Sequence, residues 1–238
     1  MTATAVKNRV SPNGHEKEEK ISSLFTLNKL RIKVVGITPL LCASPASMQP
    51  DSDAASRSKK KDDNSPSAQA RRAAYIDADG HCCLPNVCLF SAILTAAELM
   101  KLKIGTGRMA PAAATYIRAG LTFDYETTLT KLLNPKTMKP LTEADYEVDM
   151  RRAVNQNTGG AIVACRPKFD HWAAIFDLLI DSSNSDLMAV VDRYFPDILK
   201  YAGMSVGLGA FRAYVKPKGK MKQSAGGPFG KFSAAIFE

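Results

Sequence analysis

The stretch that decides the fold runs from Trp172 to Ile180 and reads Trp-Ala-Ala-Ile-Phe-Asp-Leu-Leu-Ile. In a β-strand every second side chain points to the same face of the sheet. One face of this segment therefore collects the large apolar residues, namely Trp172, Ala174, Phe176, Leu178 and Ile180. A strand with such a face lies against a core, and we predict that it is the central strand of a sheet.

Upstream of this strand the pattern predicts a strand, a hairpin and a helix. A first strand is predicted in Leu30–Leu41, where apolar residues alternate with Arg31 and Lys33 at its start, and Pro39, which cannot donate a ladder hydrogen bond, limits it. Asp77–Gly80 has the composition of a turn between two short strands, at 74–76 and 82–84. From Asn86, a candidate N-cap, the apolar spacing becomes helical and continues to about Lys103.

The remaining elements are predicted from the same two periods. Strands are expected at 121–125, 161–164 and 229–237, with short helices over 187–194 and from Pro196 to Gly203 or Gly207. Strands and helices mix without a regular βα repeat, which is typical of an α+β fold with a largely antiparallel sheet. The economical version is a modified RRM-like or ferredoxin-like core with long loop insertions and a glycine-rich C-terminal loop.

Composition divides the chain into an arm and one domain. Residues 1–28 are polar and mixed in charge, and we predict a flexible N-terminal arm. Residues 29–238 are predicted to form a single α+β domain. Within it, 43–72 is rich in Ser, Ala, Pro and charge and is predicted to be a mobile insertion, and about 212–228 is predicted to be a basic loop.

The net charge of +9 favours a polyanionic partner such as nucleic acid, although many basic proteins are simply soluble. No apolar run is long enough to cross a membrane, and the N-terminus lacks the apolar centre of a signal peptide. We therefore predict a cytoplasmic protein without a membrane partner. Its five cysteines are then expected to be reduced.

Catalytic and metal-binding patterns are weak. His81, Cys82, Cys83 and Cys88 form one cluster, but a zinc site usually draws on two short paired motifs, and the thiols are better explained as small buried groups. Whether this cluster ever binds a metal stays open. His171 accompanies no nucleophile, and there is no phosphate-loop fingerprint. We predict no enzyme activity, no catalytic residue, no metal and no cofactor.

Three groups of basic residues accompany glycine or proline loops and are the candidate nucleic-acid-binding residues. Lysine and arginine neutralise phosphates, glycines allow a close backbone approach, and aromatic rings can stack on bases. The basic and aromatic candidates are Lys101, Lys103, Arg108, Arg166, Lys168, Arg212, Lys216, Lys218, Lys220, Lys222, Lys231, Phe211 and Phe229. The glycines of the predicted loop are Gly207, Gly209, Gly226, Gly227 and Gly230. A solvated loop with core-facing aromatic residues is the alternative.

Several motifs in this order resemble a family of uncharacterised phage and prophage proteins. They are VVGITPLL at 34–41, AYIDADGHCCLPNVCLFSAILTAAELMKLKIG at 74–105, ACRPKFDHWAAIFDLLI at 164–180, YAGMSVGLGAFR at 201–212 and GGPFGKF at 226–232. The chain departs from that family in its long basic segment, 213–225, and in Lys231, where the family commonly has arginine. The resemblance implies a bacterial host cell.

The layout is similar, more distantly, to the RAMP superfamily of CRISPR-associated proteins. That resemblance implies an RRM-like fold, a glycine-rich element near the C-terminus with Arg212 and Lys231 next to phosphates, and subunits that assemble along RNA. The catalytic histidine of the processing endonucleases in that superfamily maps to no position here. The expected function is thus non-catalytic binding of RNA or single-stranded DNA through phosphates, with self-association or assembly with other subunits. The alternative is a phage protein–protein interaction module, an assembly, host-takeover or anti-defence factor, whose basic surface meets an acidic partner.

Overall fold

The structure is a computed structural model that describes residues 26–45, 65–105, 109–123, 127–154, 161–214 and 227–237. Over these residues the chain forms ten β-strands and four α-helices. In chain order they are β1 Leu27–Gly36, β2 Leu40–Leu41, α1 Pro66–Ala73, β3 Tyr75–Ile76, β4 Cys82–Pro85, α2 Val87–Met100, α3 Ala113–Gly120, β5 Leu121–Phe123, β6 Leu129–Leu133, β7 Glu147–Val154, β8 Ala161–Phe169, β9 Ala173–Asp181, α4 Ser185–Tyr201 and β10 Phe232–Phe237. A 3₁₀ turn covers Glu143–Asp145, and a π-helical turn, Ala202–Val206, follows α4.

The main sheet has seven strands, and its hydrogen-bonded order is β10-β1-β9-β6-β4-β3, with β5 also paired to β9. All of its pairings are antiparallel. The predicted α+β class with an antiparallel sheet is therefore confirmed. The stretch beginning at Trp172 is central as predicted, because β9 has β1 on one side and β5 and β6 on the other.

The core lies between the main sheet and the helices. Alternate residues of β1 and β9, such as Ile32, Val34, Phe176 and Leu178, are fully buried and share one cluster with residues of α2, α3 and α4. Full burial of one such side chain stabilises the fold by about 1.5–3 kcal/mol. The intervening residues form the opposite face of the sheet, which is mixed: it carries charged residues such as Arg31 and Asp177 beside apolar ones such as Ile175.

A second sheet continues from the main one, with the order β2-β8-β7. Trp172 joins the two connections between the sheets, from β1 to β2 and from β8 to β9: its Nε1 donates to Thr38 O at 2.9 Å, and Gly36 N donates to Trp172 O at 2.8 Å. A Cβ on Gly36 would overlap the Trp172 ring, so only glycine fits there. The helix α1 packs on β7 and β8.

Several predicted elements need correction. The segment 43–72, predicted to be a mobile insertion, contains most of α1, whose buried Ala70 and Ala73 give it a core contact. Residues 46–64 and 1–25 lie outside the described residues, and β1 begins at Leu27, inside the predicted arm. The two short helices predicted after 184 are one helix, α4, with Pro196 inside it. The elements α3, β6 and β7 were not predicted.

Two details of the helices also differ from expectation. Asn86 precedes α2, but its side chain donates to Thr127 O and accepts from the Thr130 hydroxyl instead of capping the helix. The helix ends at Met100, slightly before the predicted end at about Lys103, and the next residue, Lys101, has a left-handed φ of 52°. No helix among the described residues is long and apolar enough to span a membrane.

Candidate nucleic-acid interface

Two glycine-containing segments, Gly207–Arg212 and Gly227–Lys231, lie side by side where the two sheets meet, and we call them the glycine junction. Leu208 N donates to Gly230 O at 2.9 Å, and Gly227 N donates to Arg212 O at 3.1 Å. These hydrogen bonds join residues that are 15 to 22 positions apart along the chain. The junction thus brings the two ends of the segment 213–226 close together.

The glycine junction is also fixed to the strands around it. Ala210 N donates to Leu41 O at 2.7 Å, Gly230 N donates to Pro39 O at 2.8 Å, and Ile37 N donates to Lys231 O at 2.8 Å. The turn between β1 and β2 is therefore held by backbone hydrogen bonds from both glycine segments, and the junction is part of the folded domain.

Close backbone contact explains why glycines stand here. Gly209 and Gly230 have φ values of 73° and 71°, in the left-handed region that glycine adopts without strain. A Cβ on Gly230 would overlap Leu208 O, and one on Gly209 would overlap Leu41 O. Both positions therefore require glycine for conformation and for space.

One face of the β7–β8 hairpin carries a ladder of charges. In the strand register Glu147 lies opposite Lys168, Asp149 opposite Arg166, and Arg151 opposite Ala164. Directly opposite residues of an antiparallel pair share a face and lie within contact distance. The glycine junction meets this face, because the guanidinium carbon of Arg151 lies 4.4 Å from the centroid of the Phe229 ring.

Asp149, Arg151, Arg166, Phe211 and Phe229 form what we call the arginine–phenylalanine cluster. The guanidinium of Arg166 lies 4.6 Å from the Phe211 ring centroid, and that of Arg151 lies 5.9 Å from it. Arg151 also donates from Nε and Nη2 to the two carboxylate oxygens of Asp149, at 2.5 and 3.0 Å. The cluster holds two cations and one carboxylate, and that carboxylate is hydrogen-bonded to Arg151.

Arg166 has the least satisfied side chain of the cluster. Its Nη1 is buried and, among the described residues, has no hydrogen-bond partner. Desolvation lowers the pKa of Arg166 below its ordinary value, against the attraction of Asp149. Buried donors in folded proteins are nearly always paired, so this one calls for an acceptor. An anion that reached Nη1 would supply both the acceptor and the missing negative charge.

The structure brings together part of the predicted set. The candidates that lie in or beside the glycine junction are Arg166, Phe211, Arg212, Phe229, Lys231, Gly207, Gly209, Gly227 and Gly230. Six candidates lie outside the described residues, namely Arg108, Lys216, Lys218, Lys220, Lys222 and Gly226. Four of these, the lysines, belong to the segment whose two ends the junction holds.

Three predicted basic residues, Lys101, Lys103 and Lys168, are placed less favourably for binding at the glycine junction. The first turn of α2 lies near the junction, because Cys88 in that turn lines a cavity with Gly209. Lys101 follows the last turn of the same helix. A helix of 14 residues is about 20 Å long, so Lys101 and Lys103 lie far from the junction. Lys168 is bound to two carboxylates, Glu147 at 2.8 Å and Asp170 at 3.3 Å.

Asp149 and Arg151 were missed because β7 was not predicted. The signal was present: from Glu147 to Arg151 charged residues alternate with Val148 and Met150, which is the period of a strand. A strand there would have placed Arg151 and Asp149 on one face.

The predicted histidine–cysteine cluster takes a different form. Among the described residues, Asp77, Asp79 and His81 are the potential metal-ligating side chains that come within 4.8 Å of one another, and the cysteines are not part of the group. The Lys131 Nζ lies 3.3 Å from Asp77, 3.2 Å from Asp79 and 3.1 Å from His81 Nδ1. One ammonium group therefore pairs with both carboxylates, and its ion pairs join β6 to the turn between β3 and β4.

No protein-family model matches this sequence, and no curated protein sequence is significantly similar to it.

Proposed function

We propose that the chain is a non-catalytic protein that binds RNA or single-stranded DNA through backbone phosphates, on a modified RRM-like core. The strand order supports the core assignment: β1, β5, β9 and β10 lie in the order β10-β1-β9-β5, with α2 between the first two in sequence and α4 between the last two. This order and its two helical connections are those of a split βαβ unit. The resemblance to the RAMP superfamily belongs to the same proposal.

The observation that carries the proposal is the buried Nη1 of Arg166 beside the glycine junction, which has no hydrogen-bond partner within the described ranges. A phosphate oxygen is a suitable acceptor because hydrogen bonds between guanidinium and phosphate are charge-assisted and therefore strong. The arginine–phenylalanine cluster has one more positive charge than negative charges, which favours the binding of an anion. The residues that flank the four-lysine segment in sequence, Arg212 and Gly227, are hydrogen-bonded to each other in the junction.

The contact is with phosphates more than with bases. Phe229 is only 7% exposed, and Arg151 covers its ring, so that ring is not free to stack on a base as the sequence suggested. Phe211 is half-buried and already stacked by Arg166. Binding through phosphates carries little sequence information, so the protein should bind single strands of different sequence with similar affinity.

The test is fluorescence anisotropy with labelled 20-nucleotide oligo-U and oligo-dT at low salt. We expect wild-type protein to bind both, and Arg166→Met to weaken binding about tenfold or more, because a hydrogen bond to a charged group contributes about 1.5–3 kcal/mol. Lys136→Gln is the control, since it removes one exposed charge from the turn after β6. Absence of binding by wild-type protein, or equal binding by the two variants, would contradict the proposal.

A protein partner is the second candidate, and one observation favours it. On the other face of the β7–β8 hairpin, Met150 and Val163 are 62% and 63% exposed, and neighbouring Val148 is 36% exposed. Exposed apolar residues that cluster in this way are typical of protein contacts. If the chain binds a protein partner, that partner should stay bound after nuclease treatment of the purified complex. It should no longer bind when the charges of Lys216, Lys218, Lys220 and Lys222 are reversed. A partner that leaves with nuclease would exclude this candidate.

A further inference from the structure

The strand β10 forms one edge of the main sheet, and its sequence, Phe232-Ser-Ala-Ala-Ile-Phe237, contains no charged residue and no proline. It pairs with β1 along one side, from Gly36 opposite Phe232 to Arg31 opposite Phe237. Within the described part of the chain, no strand pairs with its other side. An edge strand presents a row of backbone donors and acceptors to any strand that approaches it.

The other edges differ from β10. In eight residues β7 carries four charges, on Glu147, Asp149, Arg151 and Arg152. The other edge strands are short: β2 and β3 have two residues each and β5 has three. Charge and shortness are the usual devices that prevent edge-to-edge pairing. Neither device protects β10, so its edge is the one suited to accept a strand.

The open part of this edge runs from Ser233 to Phe237. At the beginning of the strand a Cβ on Gly203 would overlap Phe232 O, so the π-helical turn covers that end. At the other end Ile236 and Phe237 are 42% and 36% exposed. Because Ile236 pairs with buried Ile32 and Phe237 with Arg31, the two side chains lie on opposite faces of the sheet.

We propose that two copies of this chain pair through β10, antiparallel and about a two-fold axis at Ala235. In that register Phe237 of one copy lies opposite Ser233 of the other, and Ile236 lies opposite Ala234. Each exposed large side chain thus meets a small one, and the paired positions are those of the open part of the edge. An axis at Ala234 would instead require Phe232, whose backbone is covered.

A second copy is the fitting partner because the edge is self-complementary and uncharged. For a chain with a net charge of +9, a neutral strand lets two copies approach without opposing lysines. The pairing extends one antiparallel sheet across both copies. It does not depend on nucleic-acid binding.

Sedimentation of nuclease-treated full chain at high salt tests this pairing. The weight-average mass of wild-type protein should rise with concentration from 25.8 kDa towards twice that value. Ala235→Lys and Ala235→Glu should each remain monomeric, because like charges face each other at the axis. An equimolar mixture of the two variants should dimerise again. Ala119→Lys, exposed on α3, is the control and should dimerise like the wild type.

The mixture keeps the test independent of folding defects, because two misfolded variants would not restore each other. A wild-type mass that stays at 25.8 kDa at every concentration would overturn the proposal. Dimerisation of Ala235→Lys equal to that of wild type would overturn it as well, and so would failure of the mixture to dimerise when both variants unfold in urea like the wild type.

Discussion

The guanidinium carbon of Arg166 lies 4.6 Å from the centroid of the Phe211 ring, and Phe211 has a left-handed φ of 50°. A bulky residue with this φ is strained and persists only where its surroundings hold it. The stack on Arg166 and the adjoining glycine junction provide that restraint. This one contact therefore joins the β7–β8 hairpin to the C-terminal part of the domain.

Arg166 should contribute more to binding than to stability. Arg166→Met removes a partly desolvated charge, one of whose donors finds no acceptor in the described part of the chain, and retains most of the apolar contact with Phe211. Replacing buried charges with apolar residues is often neutral or stabilising. We expect the free energy of unfolding in urea to change by less than about 1 kcal/mol, the size of a cation–π contact, while oligonucleotide binding weakens. A large loss of stability with unchanged binding would assign Arg166 a purely structural role.

Crowding at Gly230 should make its replacement more costly than that of an uncrowded glycine. Gly230→Ala introduces a Cβ that overlaps Leu208 O at a φ of 71°, whereas Gly80→Ala has a φ of 84° and no atom within 4 Å. A left-handed φ alone costs about 1–2 kcal/mol for a residue with a Cβ. We expect about that loss for Gly80→Ala and a clearly larger loss for Gly230→Ala in urea unfolding. The fluorescence of Trp172, the single tryptophan, reports the transition. Equal losses would mean that the junction is not tightly packed.

The ion pairs of Asp177 should make stability depend on pH in the acid range. Arg31 Nε donates to Asp177 at 2.9 Å and Lys29 Nζ lies 2.9 Å from it, and these contacts lower the pKa of the carboxyl, the Arg31 hydrogen bond most strongly. A lowered folded-state pKa contributes stability above the unfolded value of about 3.9, which is lost as the pH falls through the folded value.

Asp177→Asn should therefore be less stable than wild type at pH 6, and the two should converge when the pH falls well below 4. The difference should be small because the pair is solvent-accessible. Urea unfolding across this pH range measures it. A difference that stays constant from pH 6 to the acid limit would contradict the assignment.

Three cysteines should be unreactive in the native protein. Cys42, Cys82 and Cys83 are each 1% exposed, and burial raises the pKa of Cys82 to about 12 and that of Cys83 to about 11. The thiolate is the reactive form, so at pH 8 these thiols lack both access and charge. A thiol-specific disulfide reagent should leave these three unmodified in native protein and modify all five cysteines on unfolding. Rapid modification of all five without denaturant would contradict the packing around β4.

Elements with a strong local period could be predicted from the sequence. The strand β9 follows from five apolar residues at alternate positions, and the β3–β4 hairpin follows from its Asp-Gly turn. The helix predicted over 187–194 exists as the first part of α4, and the side chain of Asn184 caps it by accepting from Leu187 N at 3.0 Å. Pro196 was misleading because a proline can stand either at the start of a helix or, less often, in its interior. In the folded protein Pro196 lies in the interior of α4.

Elements built from small residues could not be predicted in this way. The helix α1 buries only Ala70 and Ala73, and α3 follows a run of alanines, so neither shows a clear apolar face in the sequence. The candidate site depends on β7 and on contacts between distant segments, such as Arg151 with Phe229. The glycine segments could be identified from composition. The arginines that contact them could be identified only once the register of β7 and β8 was known.

The salt dependence of single-strand binding tests the central claim most directly. For single strands log Kobs falls with log salt by about 0.7 for each phosphate neutralised. We predict that wild-type protein binds labelled oligo-U at low salt. The slope of log Kobs against log salt concentration should correspond to several neutralised phosphates. Replacing Lys216, Lys218, Lys220 and Lys222 by glutamine should flatten that slope, whereas Lys136→Gln should leave it unchanged. No binding at low salt, or binding whose affinity does not change with salt, would contradict the account.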